Sequence, residues 1–345
     1  MKKIVSLVMV FILLCAFTGC GDGGKTVLSV YNWGEYIDES IFEEFEAKYP
    51  DIKIRYEIYS DNEVMYTKIK NNTTSYDVLI PSDYMIKRLI EEDMIAKLDF
   101  ANIPNYSLIG DNYKNLAFDA ANEYSVPYMW GVLGILYDKT KVHEKSFTWE
   151  TLFKSEYKNE VLMKNDMRDS LGIALKTLGY SSNSTSEAEL EAAKQKLITL
   201  KPNVLGYVGD EGMDKMIAGE AALAVMYAGD AYNCIAENPD LAFAIPEDGT
   251  NLFFDSMVIP KNSQHKKEAE LFINFMCETE IALKNVEEIL YSTPHEGAHE
   301  LLPDEIKNSL SYPSDEVLEK AEIYTYLGKH SELYDRIWTE FKASM

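Results

Sequence analysis

The 345-residue sequence contains little cysteine and histidine, which excludes several kinds of site. Its four cysteines form no CxxC pair and its five histidines form no cluster, so we expect no metal site, no redox thiol pair and no cofactor. A Gly-x-Ser-x-Gly element is also missing, which removes one common type of hydrolase. Cys234 and Cys277 lie among apolar neighbours and are expected to be buried free thiols, although spacing alone leaves a disulfide between them open.

Basic residues are scarce relative to acidic ones. The chain has 33 lysines and arginines against 57 aspartates and glutamates, and its net charge is -24. Such a surface repels nucleic acid and anionic lipid, so we expect neither as a partner. The charge favours a cationic ligand, although an acidic surface is also the ordinary means of keeping a protein soluble.

Only one apolar run approaches membrane-spanning length, and it lies at the N-terminus. Two lysines precede it, and it closes on Phe-Thr-Gly-Cys at Cys20, as in the signal peptide of a lipoprotein. We therefore predict a signal peptide over 1–19, a lipid on Cys20 and a loose tether over 20–26, which would hold a soluble body at the outer face of the cytoplasmic membrane. The alternative is a plain secretory signal in which Cys20 is coincidental.

Beyond the tether, short apolar runs alternate with amphipathic ones, a pattern typical of α/β domains with largely parallel sheets. Strands are predicted over 27–31, 52–56, 78–80, 134–137, 161–163, 222–227 and 255–259. Helices are predicted after Asp38 and Asn62 as N-caps, through 86–90, from Thr148, and over 170–178, 187–200 and 266–277.

The chain is long enough for two domains, and its pattern breaks twice. The first break is at 127–131 and the second is near 255–259, so the chain is predicted to cross from one lobe to another and back. We predict an α/β protein with a ligand cleft between two discontinuous lobes, which are formed by 27–130 plus 256–301 and by 131–255 plus 302–345.

The residues that follow the predicted strands share one chemistry. Loops at the carboxyl ends of strands in open α/β sheets line the crevice where ligands bind. Here they carry aromatic rings and carboxylates but almost no basic residues, among them Trp33, Glu35, Tyr36, Asp83, Tyr84, Asp166, Asp169 and Asp230, and Phe253 and Asp255 lie beside the second predicted crossover. Ring faces and carboxylates both attract ammonium groups. The pattern predicts a site for an organic cation, although each ring alone fits core packing and each aspartate alone fits an N-cap.

Six segments in order over nearly the whole chain resemble the spermidine/putrescine-binding proteins of polyamine ABC importers. They are Tyr-Asn-Trp-Gly-Glu-Tyr-Ile at 31–37, Pro-Ser-Asp-Tyr at 81–84, Pro-Tyr-Met-Trp-Gly at 127–131, Asp-Met-Arg-Asp at 166–169, Asp-Ser-Met-Val-Ile-Pro at 255–260 and Tyr-Ser-Thr-Pro at 291–294. The resemblance implies a type II periplasmic-binding fold that closes on a polyamine. It also implies a monomer whose protein partner is the permease of an ABC importer.

The resemblance also implies roles for individual residues. Asp166 and Asp169 would hold one terminal ammonium and Asp255 another amine. With the strand-end residues included, the predicted binding set is Trp33, Glu35, Tyr36, Ser82, Asp83, Tyr84, Asp166, Asp169, Tyr227, Phe253, Asp255, Tyr291 and Tyr324. The sequence departs from the family pattern at Gly34 in place of a hydroxyl residue, Asp169 in place of Glu, Tyr227 and Phe253 in place of Trp, and Tyr324 in place of Gln. These departures leave the choice of polyamine open.

Two other functions stay open on the sequence. A receptor for another organic cation, such as a quaternary amine, would need more rings and fewer carboxylates. An enzyme would use Asp166 and Asp169, which lie three apart on one helical face, as acid and base. The histidines do not follow strands and are predicted to face solvent at His143, His265, His295, His299 and His330. We therefore predict a binding protein with no catalytic residues.

Overall fold

The structure is a computed structural model that describes residues 24–71 and 74–344. The predicted signal peptide and Cys20 lie outside the described residues. The first strand already begins at Thr26, the last residue of the predicted tether. Over the described ranges, no helix combines the length and the apolar character that crossing a membrane requires.

The first series of elements follows the predicted alternation. It consists of β1 (Thr26–Trp33), α1 (Ser40–Lys48), β2 (Ile52–Tyr59), α2 (Asn62–Lys70), β3 (Val78–Leu79) and α3 (Asp83–Glu91). Helix α1 buries Ile41 and Phe45, which lie four residues apart on one face. Helix α2 begins after Asp61, whose carboxylate accepts a 2.7 Å hydrogen bond from the backbone of Val64, so its cap lies one residue before the predicted Asn62.

The second series begins inside one long strand. Its elements are β4 (Ser125–Asp138), β5 (Val161–Lys164), α4 (Met167–Thr177), α5 (Glu187–Leu200), β6 (Val204–Val208), α6 (Glu211–Ile217), β7 (Leu223–Tyr227), α7 (Ala228–Glu237) and β8 (Leu241–Ala244). The helix predicted from Thr148 is instead a 3-10 helix over Trp149–Phe153. Thr148 and Thr151 form a capping box that closes this single turn.

The chain then returns through β9 (Leu252–Val258) and continues as helices. These are α8 (Lys266–Met276), α9 (Thr279–Ile289), α10 (Glu296–Leu301), α11 (Asp304–Lys307), α12 (Asp315–Leu318) and α13 (Ser331–Ala343). Helices α8 and α13 bury one apolar face each, which includes Phe272 and Ile273 in α8 and Ile337 and Phe341 in α13.

The described strands join in one mixed sheet with the order β2-β1-β3-β9-β4-β7-β5-β6, and β8 pairs with β4. Strand β1 pairs in parallel with β2 and β3, and β5 pairs in parallel with β6 and β7. Strand β4 is antiparallel to β7, β8 and β9. Two parallel parts are therefore joined through the antiparallel strands β4 and β9, which are the segments predicted to cross between lobes.

Buried apolar side chains form separate clusters on the two parts of the sheet. One part packs around residues such as Leu28 and Phe272, and the other around residues such as Leu171 and Leu197. The segment after 302 contributes to both, since Tyr312 packs on the first cluster and Phe341 belongs to the second. The lobe boundaries given above stay a prediction.

Both cysteines of the described chain are buried free thiols, as predicted. The prediction that all histidines face solvent is wrong for His295, whose side chain is 1% exposed. Its Nδ1 accepts a 3.1 Å hydrogen bond from the backbone of Ala298, so the ring caps helix α10. Burial lowers the pKa of His295, which keeps the ring neutral and able to accept this bond.

Candidate ligand-binding site

A cavity of about 120 Å³ lies where strand ends from both parts of the sheet approach β9. Two further cavities measure about 10 and 20 Å³. One water needs about 10–15 Å³ of cavity volume. The first cavity therefore has room for a small molecule, and each of the other two has room for about one water. Every predicted binding residue except Glu35 lines the first cavity: Trp33, Tyr36, Ser82, Asp83, Tyr84, Asp166, Asp169, Tyr227, Phe253, Asp255, Tyr291 and Tyr324.

Glu35 is the predicted binding residue that does not line the cavity. It is exposed and lies outside the cavity lining. Its φ of 47° places it in the left-handed region, in the turn that follows β1. The turn returns Tyr36 to the cavity wall and leaves Glu35 in solvent, which the strand-end pattern alone does not reveal.

Aromatic rings form a continuous wall of the cavity. The ring of Tyr291 packs edge-on against Tyr36 at 4.6 Å between centroids and against Phe253 at 6.2 Å. Phe253 in turn packs edge-on against Tyr227 at 5.1 Å. Trp33 is held by a 2.8 Å hydrogen bond from its Nε1 to the backbone oxygen of Ile80. These contacts order the rings before a ligand arrives, which lowers the entropy cost of binding.

The wall continues across the cavity through a close contact between Tyr291 and helix α7. A Cβ atom added to Gly229 would lie 2.0 Å from the Tyr291 ring, so only glycine permits this approach. The Tyr291 hydroxyl donates a 2.7 Å hydrogen bond to Asp230 in the first turn of the same helix. Burial raises the pKa of Asp230 to about 6.

Two carboxylates from the N-terminus of α4 lie at one side of the cavity. Asp166 caps the helix by accepting a 2.9 Å hydrogen bond from the backbone of Asp169. Asp169 accepts hydrogen bonds from the hydroxyls of Tyr227 at 2.7 Å and Tyr324 at 3.3 Å. Burial raises the pKa of both carboxyl groups, and their mutual repulsion raises that of Asp166 further. A cation would favour their ionised forms.

Asp255 supplies a carboxylate from the middle of β9. The residue is 4% exposed and forms a β-bridge with Ser82. Within the described chain, neither its Oδ1 nor the neighbouring Tyr36 hydroxyl has a partner with the distance and angles of a hydrogen bond, although the Ser82 and Tyr36 side chains lie near enough to oppose the rise that burial causes in the pKa of this carboxyl. Burial raises the pKa of Asp255 to about 7. An unpartnered buried acceptor in a cavity wall is costly unless a ligand donates to it, so this atom is a candidate anchor for an N–H group.

Asp83 lines the same cavity, but its carboxylate is hydrogen-bonded to the protein backbone. Its carboxylate accepts hydrogen bonds from the backbone of Tyr84 at 2.6 Å and of Phe254 at 3.0 Å. It therefore joins the start of α3 to β9. Burial raises the pKa of Asp83 to about 8. Both carboxylate oxygens of Asp83 already accept hydrogen bonds, which distinguishes this residue from Asp255.

Several lining residues were not predicted from the sequence: Tyr59, Asp61, Asn62, Lys164, Asn165, Arg168 and Asp210. Tyr59 ends β2 and Lys164 ends β5, so the strand-end rule applied to every strand would have found them. The expectation of almost no basic residues is wrong at Lys164 and Arg168. Arg168 belongs to the Asp-Met-Arg-Asp segment noted in the sequence, but its place beside the Tyr324 ring depends on tertiary packing and was not predicted.

The fold and the site together define a class of protein. Two α/β parts are joined by crossing strands, and a ring- and carboxylate-lined cavity lies where their strand ends meet. This arrangement is that of a substrate-binding protein with the type II periplasmic fold, which confirms the predicted fold class. The profile described as "Bacterial extracellular solute-binding protein" matches residues 40–313, and the chain belongs to that family.

Relatives confirm the resemblance noted in the sequence. The spermidine/putrescine-binding periplasmic protein of Salmonella typhimurium is 35% identical over 319 residues, which cover 92% of this chain and 91% of the relative. The Escherichia coli K12 protein of the same name is 34% identical over 322 residues, covering 92% of each chain. A solved structure from Listeria monocytogenes, described as a "Putative spermidine/putrescine ABC transporter", has a TM-score of 0.90 and 42% identity, and the match covers 93% of this chain and 100% of that one. The structure of a spermidine/putrescine ABC transporter substrate-binding protein from Streptococcus pneumoniae has a TM-score of 0.78 and 40% identity. The match covers 92% of this chain and 99% of that one.

Proposed function

We propose that this protein is the extracytoplasmic receptor of a polyamine ABC importer, which captures a short polyamine and delivers it to the permease. The observation that carries the proposal is the convergence of rings and buried carboxylates from both parts of the sheet on one cavity. Family membership and the names of the relatives point the same way.

The cavity provides a separate acceptor group for each end of the ligand. One ammonium would donate to Asp255, whose Oδ1 lacks a partner in the described structure. The other would lie near Asp166 and Asp169 at the start of α4. The rings of Tyr36, Phe253 and neighbours would cover the methylene chain between them. A monoamine would leave one buried carboxylate unpaired, which is unfavourable, so the site selects for two or more charges.

Ligand capture would proceed by closure of the two lobes. The cation docks on one lobe, and closure brings the second set of rings and carboxylates onto it. The close contact of Tyr291, which follows α9, with Gly229 of α7 supports such a closure. A closed, filled receptor would then present its surface to the permease as a monomer.

The carboxylate pair of α4 favours binding over acid–base catalysis. Asp169 is held by two tyrosine hydroxyls and Asp166 is engaged as a helix cap. Groups fixed in this way are suited to holding a cation in place. We therefore propose a receptor with no catalytic residue.

A thermal-shift screen tests the proposed function. Putrescine, cadaverine, spermidine, spermine and glycine betaine would each be added well above the micromolar range. We expect at least one polyamine to raise the melting temperature by about 5 °C, as a ligand at about a hundred times its dissociation constant does, and to be recovered chemically unchanged by mass spectrometry. A larger shift with betaine would indicate a quaternary-amine receptor. No shift with any polyamine would refute the proposal, and a converted polyamine would indicate an enzyme.

We further propose that the mature chain begins at Cys20 and carries a lipid there, on the evidence of the basic, apolar and Gly-Cys segments in order. The lipid would hold the receptor at the outer face of the cytoplasmic membrane. Mass spectrometry of the protein purified from its native membrane is expected to show an N-terminus at Cys20 with an added diacylglyceryl mass. A mature N-terminus at any other residue would contradict this.

A further inference from the structure

A lysine occupies the cavity that we assign to a cationic ligand. Lys164 is the last residue of β5 and lines the cavity. Its Nζ lies 4.5 Å from the centroid of the Tyr227 ring, and the hydroxyl of that ring donates to Asp169. This is the type of contact that a ligand ammonium would make with the same ring.

Lys164 also acts on the carboxylates at this side of the cavity. Burial raises the pKa of Asp169 and of Asp230, and the positive charge of Lys164 opposes that rise at both groups. Lys164 makes no salt bridge within 4.0 Å to any residue that the structure describes. Its charge is therefore shared between two carboxylates and a ring instead of being committed to one partner.

The second basic residue of the cavity differs from Lys164. The guanidinium of Arg168 donates to the backbone oxygen of Thr325 at 3.1 Å and to the side chain of Asn183 at 2.9 Å. It also lies over the ring of Tyr324 at 4.5 Å. Arg168 is thus built into the wall, whereas the ammonium of Lys164 lies on a ring face that a ligand would use.

We propose that Lys164 is a built-in cation that occupies the Tyr227 side of the cavity and makes the receptor prefer a diamine to a triamine. This inference rests on the proposed polyamine-binding function. A diamine can place its two charges at Asp255 and Asp166, whereas a further ammonium at the Tyr227 ring, Asp169 or Asp230 would meet the like charge of Lys164. Since a lysine side chain is flexible, the triamine is disfavoured without being excluded.

The test compares putrescine and spermidine by calorimetry in wild type and in three variants. Lys164→Met removes the charge and keeps most of the side-chain volume, and Lys164→Arg retains the charge. Lys215→Met is the matched control, because Lys215 pairs with Glu220 on the surface. We expect wild type to bind putrescine more tightly. In Lys164→Met the ratio of the two affinities should shift toward spermidine by about tenfold or more, whereas Lys164→Arg and Lys215→Met should keep the wild-type ratio.

Each other outcome overturns the inference in a distinct way. If both polyamines bind but Lys164→Met leaves their affinity ratio unchanged, or if wild type prefers spermidine, Lys164 does not set the preference and the receptor function survives. The same conclusion follows if Lys164→Arg or Lys215→Met shifts the ratio as much as Lys164→Met does. If neither polyamine binds wild type, the proposed function fails as well. Melting temperatures of the empty variants verify folding, and Lys164→Gln replaces the methionine variant if that protein is unstable.

Discussion

Asp255→Asn is expected to weaken polyamine binding by about a hundredfold or more in a calorimetric titration. Asp255 is buried, and its Oδ1 has no partner among the residues that the structure describes. In the filled receptor it would form a buried, charge-assisted hydrogen bond with an ammonium group. Breaking a buried ion pair by removing one partner typically costs about 3–5 kcal/mol, and each 1.4 kcal/mol is a factor of about ten in affinity.

The control for this variant is Asp111→Asn, in which the exchanged side chain is 99% exposed and is not part of the cavity lining. Its affinity should equal that of wild type. Folding is checked by the melting temperature of the empty proteins.

Burial raises the pKa of Asp255 to about 7, above its value near 4 in an unfolded chain, so its contribution to stability is lost as pH rises through 7. At pH 8 wild type must bury an ionised Asp255, whereas asparagine stays neutral. The empty variant should therefore melt at no lower a temperature than wild type. Near-native affinity in Asp255→Asn would remove Asp255 from the site.

Polyamine affinity is expected to fall by about a hundredfold or more when pH is lowered from 8 to 5. In the empty cavity, burial raises the pKa of Asp255 to about 7 and that of Asp230 to about 6. A bound ammonium favours the ionised carboxylates, so each protonated group must release a proton before binding. For each group, affinity falls about tenfold per pH unit below its pKa in the empty cavity. The ligand itself stays charged, because alkylammonium groups titrate near pH 10.

Calorimetry in buffers of different ionisation enthalpy measures the number of protons released. We expect net proton release near pH 6.5, and Asp255→Asn should lower it by up to one proton. The melting temperature of the empty protein at each pH distinguishes weak binding from unfolding. Binding that is independent of pH between 5 and 8 would show that no ligand ammonium group lies near Asp255 or Asp230.

Strand ends were the most informative part of the sequence, because chain direction alone places them at one edge of a parallel sheet. The rule predicted Trp33, Tyr84 and Asp166, and all three line the cavity. It failed for Glu35, where a left-handed turn reverses the side chain toward solvent. Periodicity likewise predicted α5 from first to last residue but not the 3-10 turn after Thr148, which a local capping box closes.

The positions of the basic residues and of His295 depended on tertiary structure. Nothing in the local sequence indicates that the ammonium of Lys164 lies on the Tyr227 ring, since the two residues are far apart in the chain. The buried ring of His295 acts as a helix cap, a role that the sequence pattern does not reveal. The pKa values of Asp255 and Asp230 follow from burial, which exists only once the two parts of the sheet have come together.

The sequence by itself determined the α/β class, the order of most elements and the chemistry of the site. These features depend on hydrophobic periodicity and on residue types at strand ends, both of which are local. Only the tertiary structure decided which carboxylates are free to meet a ligand. Asp83 is engaged by two backbone N–H groups while the Oδ1 of Asp255 is unpartnered in the described chain. Hydrogen-bond partners and burial arise from contacts between segments distant in sequence, so they appear only when the chain is folded.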